Sequence, residues 1–179
     1  FITGTEKTEP ISDLDNVLEK PVQSRLAKTY IEFAKEHSVE IRYSAQITDA
    51  EYDRETGLIH INPNLEFDDQ LLVCARELRR HWQHRQGGLI NPLTFQPDTA
   101  ILINRVQSAD LAINMVRIAW ELQLADIKSV WERIENSSLS DLGHAIAREA
   151  FLDFRSLNNG EASAAMFETW FLSERCQKE

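Results

Sequence analysis

Cysteine is almost absent from this sequence: Cys74 and Cys176 are the only two, and they form no Cys-x-x-Cys. No disulfide framework is expected from them. Free thiols fit a reducing compartment, so a cytoplasmic location is expected. Long apolar runs are also missing. The most apolar region, 99–120, is interrupted by Asn104, Arg105, Gln107, Asp110, Asn114 and Arg117, so no membrane span is expected. Basic excess is lacking too. The formal net charge is −10, and a field of that sign repels nucleic acid and anionic membrane alike. Neither is expected as a partner. There is no glycine-rich phosphate loop, no Gly-x-Ser-x-Gly, no internal repeat and no low-complexity tract. The chain starts at Phe1 without a basic-then-apolar leader, so no signal peptide is expected, although a trimmed or processed chain would read the same way.

What is present is enough for one folded domain: 179 residues, of which 42% are hydrophobic. Residues 1–16 read as a loose polar lead-in, and 17–179 as a single domain. Pro21 suits a first helical turn, and Leu26, Tyr30, Phe33 and Ala34 then recur at helical spacing. Val39, Ile41 and Tyr43 alternate with polar residues, as in a half-buried strand. Turn chemistry at 53–57 separates two further strand-like runs, the second placing Ile59 and Ile61 inward and His60 outward. A helix is expected over 69–85, stopping at Gly87-Gly88. Four more are expected over 98–106, 109–134, 141–157 and 161–174. The fold class is therefore α+β, with a small antiparallel sheet followed by a helical body. The 109–134 helix carries one apolar stripe of Leu111, Met115, Ile118, Leu122 and Ala125. Trp120, Leu124, Ile127 and Trp131 form another nearly opposite, so the helix is either sandwiched in the core or covered by a second chain.

The chemistry concentrates in "CARELRRHWQHRQG", 74–87. On a helix, Leu71, Cys74, Ala75, Leu78 and Trp82 share a core-facing side, which makes Cys74 inert. Arg76 and Arg80 lie one turn apart, roughly away from that side, with Glu77 between them. Histidines in place of those arginines would give the His-Glu-x-x-His of zinc peptidases, in which the histidines bind the metal and the glutamate activates water.

The run from "GLIHINPN" through "DDQLLVCARELRRHWQHRQG" resembles a bacterial family of uncharacterised metallopeptidase-like proteins with a zincin-like layout. Leu58–Asn64 correspond to a strand and its Asn-Pro exit. Glu77, Leu78, Arg79, Trp82 and Gln83 correspond to the active-site helix. Glu121, in "RIAWELQLAD", falls at the family's third-ligand position. The resemblance extends more weakly into "AREAFLDFRSLNNG". It implies a zincin-like fold, a zinc cofactor and Glu77 as general base. Arg76 and Arg80, however, stand where both metal-binding histidines belong, and a guanidinium has no lone pair to offer. The motif is thus degenerate. No zinc is expected at Arg76, Arg80 and Glu121, and no zinc-dependent catalysis. An ion pair from Arg76 or Arg80 to Glu121, or to Asp126 one turn away, is expected in the metal's place.

Other readings stay open. Glu77, His81 and His84 at i, i+4 and i+7 could hold a relocated metal, or form a polar flank with both histidines exposed. Arg76, Arg79, Arg80 and Arg85 could bind a phosphate or acidic peptide, or simply pair with the chain's surplus carboxylates. His37, His60 and His144 read as isolated surface residues. Two function classes follow. One is a pseudoenzyme retained as a binding or interaction module for a protein or peptide partner, with an oligomer possible. The other is a hydrolase with a remodelled site.

Overall fold

In the computed structural model, which describes residues 11–173, Pro21 and Ser24 organise the first helices. Helix α1 (Ile11–Glu19) runs into a 3-10 turn, Lys20–Gln23, that contains Pro21. Ser24 ends the turn and caps α2 (Arg25–Glu36), its hydroxyl accepting from Ala27 N at 3.1 Å. Residues 11–16, expected within a loose lead-in, belong to α1. Val17 is fully buried and Leu14 and Leu18 pack beside it, a helical spacing hidden among polar neighbours. Phe1–Pro10 and Cys176 lie outside the described residues.

The sheet has three strands, β1 (Glu40–Tyr43), β2 (Ala50–Tyr52) and β3 (Leu58–Ile61), in the order β1-β3-β2. β2 and β3 form the expected hairpin. Its turn is closed by the Asp53 carboxylate, which accepts from Glu55 N at 2.8 Å, and by Gly57 at φ 73°. β1, however, pairs parallel with β3, so the sheet is mixed rather than antiparallel. The loop from β1 must cross to the far edge before the hairpin can place β3 in the middle. Asn62 holds that crossing, with its amide donating to Ile47 O at 2.9 Å and Thr48 O at 3.1 Å. Ile59 and Ile61 face the core as expected, and both are fully buried.

Helix α3 (Phe67–Arg85) is the axis of the molecule. Asp68 and Asp69 in its first turn and His84 and Arg85 in its last suit the helix dipole. The chain leaves at Gly87 with φ 72°, the left-handed conformation that glycine adopts at least cost. Both ordinary core residues and the polar Gln70, Glu77, His81 and Gln83 are buried along it. Neighbours stand on several sides: α2, the hairpin, α4 (Pro97–Leu124) and α5 (Ser129–Glu135).

α4 is one continuous helix, without the break expected near 107–108, and it ends ten residues earlier than Ile134. Asp126 takes a left-handed φ of 68°, while Ile127 N reaches back to Leu122 O at 2.9 Å. An aspartate thus fills the helix-ending place usually taken by glycine. Its consequence is the turn that lets Trp131 of α5 stack edge-on against Trp120 at 5.1 Å. Helices α6 (Ser140–Leu152), α7 (Ser156–Asn159) and α8 (Glu161–Leu172) complete the body. No helix among the described residues is long and apolar enough to cross a membrane.

One polar network ties α2, α3 and α4 together. Arg79 grips Asp110 with two parallel bonds of 2.8 Å and donates to the Tyr30 hydroxyl at 2.9 Å. Its guanidinium also lies over the Trp82 ring at 4.1 Å. Gln83 donates to the same Asp110 carboxylate. Removing Arg79 leaves a mostly buried carboxylate without its cation, so Arg79→Met should cost about 3 kcal/mol. In urea denaturation, the Arg79→Met/Asp110→Leu double variant should be more stable than Arg79→Met alone. The opposite order would show that the pair is not what holds these helices.

Candidate functional site

Glu77 is the most confined charge-bearing side chain of the motif helix, fully buried in the middle of α3. Burying a carboxylate without partners is prohibitive, and here both oxygens are engaged. Oε1 accepts from Arg76 Nε at 2.7 Å. Oε2 accepts from the backbone N–H of Tyr52 at 3.1 Å and lies 3.3 Å from Arg80 Nη1. Arg76 also donates to Asp49 Oδ2 at 2.8 Å and to the Ala50 carbonyl at 3.0 Å. Burial works against the Arg76 charge, but its bonds to Asp49 and Glu77 outweigh that and hold its pKa above the usual arginine range. The same contact with Arg76 holds the Asp49 carboxyl below its ordinary value.

These contacts fall on one edge of the sheet. In the β2–β3 ladder, Asp49 O and Asp53 N face β3. The alternation of a strand therefore turns the Ala50 carbonyl and the Tyr52 N–H outward. Arg76 supplies the donor for the first and Glu77 the acceptor for the second. The two side chains thus do for the edge of β2 what a neighbouring strand would do. The strand beside Glu77 is accordingly β2, and β3 sits one place further in.

The arginines do not pair with Glu121. Its Oε2 accepts from Ser24 Oγ at 2.7 Å and from Leu26 N at 2.9 Å, and its Oε1 lies 3.4 Å from Arg117 Nε. The carboxylate is spent on the N-terminus of α2, where exposed N–H groups and the helix dipole favour an anion. Asp126 is no substitute, being exposed and 3.4 Å from Lys128. The expected replacement of a metal by an inter-helix ion pair is thus overturned. Glu77 itself, on the same helix, takes both arginines. A zinc ion at Arg76, Arg80 and Glu121 would meet two guanidinium groups without lone pairs and a carboxylate already committed elsewhere. That donor set does not fit zinc.

Nor are both histidines of the second constellation exposed. His81 is fully buried, with its ring 5.5 Å from those of Phe33 and Tyr52 and 5.7 Å from that of His37. Neither of its ring nitrogens has a hydrogen-bond partner among the described residues. His84 Nδ1 bonds the Tyr52 hydroxyl at 2.9 Å. No group of three or more His, Cys, Asp or Glu side chains able to hold a metal occurs among the described residues. His37 is not isolated either: it stacks on Phe33 at 4.2 Å and bonds the Phe33 carbonyl at 2.8 Å through Nδ1. The basic patch resolves into the shared Glu77 contacts of Arg76 and Arg80 and the Asp110 pair of Arg79, leaving Arg85 exposed. Cys74 is buried, and burial with the nearby Glu77 charge pushes its thiol up to about 12, which makes it unreactive. Asp49, Tyr52 and Asp110 complete these contacts without having stood out in the sequence, where lone polar residues 25 to 31 positions from their partners carry no spacing signal.

Burial, with the nearby charges of Arg85, His37 and His84, lowers the His81 pKa from 6.5 to about 4. Between those values the unfolded chain binds the proton and the folded chain does not. Stability should therefore fall as pH drops through 6.5 and on toward 4, by about 3 kcal/mol in all. Urea midpoints measured across this range should flatten in His81→Leu. An unchanged slope in that variant would assign the acid sensitivity to other groups.

No curated protein and no solved structure matches the chain. A family model does, over residues 3–179, and it carries the description "Putative metallopeptidase family (DUF6782)". That match spans the helix with Glu77, the hairpin that covers it and the helix with Glu121, and the chain belongs to this family.

Proposed function

We propose that this chain is a pseudoenzyme: a zincin-like member of a metallopeptidase family that has lost zinc and catalysis and serves as a binding or interaction module for a protein or peptide partner. The observation that carries this reading is the condition of Glu77. A general base needs a free lone pair beside a water molecule held by a Lewis acid. Glu77 is fully buried, and its two oxygens are occupied by Arg76, Arg80 and the Tyr52 N–H. Arginine at both histidine positions supplies the two positive charges that offset the buried carboxylate, and gives Glu77 a structural role. The same contacts seal the edge of β2, so a partner is met elsewhere than by adding a strand there. A reducing, cytoplasmic setting fits the buried free thiol of Cys74.

A second reading keeps a hydrolase, with a relocated metal held by Glu77, His81 and His84. The feature in its favour is His81, whose two ring nitrogens are buried without partners. It requires Glu77 to leave its arginines.

Stability separates the two readings. A glutamate retained for chemistry is a cost to stability, and replacing it is neutral or stabilising. Glu77→Gln should instead destabilise this protein by about 3 kcal/mol in urea, since it removes the buried charge facing two arginines. A neutral or stabilised variant would count against the structural role. Elemental analysis of protein purified without chelator should find well under about one zinc per chain. A tightly bound equivalent that disappears in His81→Ala would make the second reading the better one.

A further inference from the structure

α4 begins outside the core. From Pro97 to Gln107 none of its residues is buried, and α3 has ended at Arg85. Further along, Ala109, Ala112, Val116 and Ala119 form a buried stripe. The same stripe continues outward through Arg105, Leu102, Ile101 and Asp98, spaced i, i+3, i+4 and i+7 read from Asp98. Leu102 is 55% exposed and Ile101 47%. The 3-10 turn Pro92–Thr94 packs beside this part of the helix and adds Leu93, 89% exposed, with Phe95 next to it. An apolar surface of this kind on a water-facing helix points to a partner.

We propose that the partner is a second copy of this chain, docked antiparallel on the first turns of α4 about a two-fold axis between Ile101 and Leu102. Two features select this occupant. The first is charge. In a symmetric antiparallel pair, each position faces the one at the same distance beyond the axis, so Ile101 meets Leu102 and Asp98 meets Arg105. The stripe is therefore complementary to itself, with an ion pair closing each end of an apolar centre, as an isologous interface requires. The second feature is area. A stable pair covers on the order of 800 Å² of each subunit. The surface open to such contact is made of Ile101, Leu102, Leu93, Phe95 and Val106, between 43% and 89% exposed, with Asp98 and Arg105 at its ends. None of these residues belongs to the Glu77 site, so the inference stands or falls independently of the proposed function.

Sedimentation equilibrium on the purified chain tests it. The mass should rise with concentration toward about twice 20.6 kDa, reaching the dimer by roughly 100 μM. Leu102→Asp should abolish association, with an unchanged circular dichroism spectrum because the position is exposed. Asp98→Arg and Arg105→Asp should each weaken the dimer about tenfold, since symmetry turns two attractive contacts into two repulsive ones. The Asp98→Arg/Arg105→Asp double variant should recover it, because the reversed charges face each other again. A wild-type chain that stays monomeric at roughly 100 μM would overturn the proposal and leave the stripe to a different occupant. So would a dimer indifferent to Leu102→Asp, or single charge reversals that the double variant does not repair.

Discussion

A carboxylate in a protein interior must be matched in charge and hydrogen bonding, and Glu77 imposes that condition on the centre of this molecule. Its partners come from α3 itself and from β2, so meeting the condition fixes how the hairpin sits on the helix. Arg76 then extends the constraint outward to Asp49 and the Ala50 carbonyl, at the point where the chain enters β2. Arg79, on another side of α3, makes an equivalent link to α2 and α4 through Tyr30 and Asp110. The helix is therefore held by two arginine-centred networks as well as by its apolar contacts. This arrangement explains why a helix carrying four arginines can lie at the axis of the fold.

Much of the architecture could be read in the sequence because it rests on local signals. The 69–85 helix, its glycine stop and the inward Ile59 and Ile61 follow from periodicity and turn chemistry, and the structure matches them closely. The parallel pairing of β1 could not be read, since strand direction depends on where the connection crosses, and the Asn62 clamp is a tertiary contact. The end of α4 was hidden for a different reason. Asp126 adopts a backbone conformation that aspartate tolerates but does not advertise, so two helices looked like one.

The candidate site was only half legible. The unusual Arg-Glu-x-x-Arg spacing was visible, as was the absence of lone pairs at the outer positions. Its resolution was not visible: the family's third-ligand position favoured Glu121 as the counter-charge, yet the N-terminus of α2 holds that carboxylate. Adjacent and i+3 partners on α3 met the need of Glu77 more directly, with no second helix. His81 was misjudged because a single amphipathic face was assumed for a helix that has neighbours on several sides.

The mixed sheet also sets two closures of different length before the folding chain. The β2–β3 hairpin spans a short loop, a closure of the microsecond class. Among the described residues β1 pairs with β3 alone, and Glu40 meets Leu58 eighteen positions later, so this pairing has a longer loop to close. That pairing lays the connection from 44 to 49 across the sheet, where Asn62 fastens it. A helix-rich domain, with its many short-range contacts, thus carries a non-local pairing at its sheet as well.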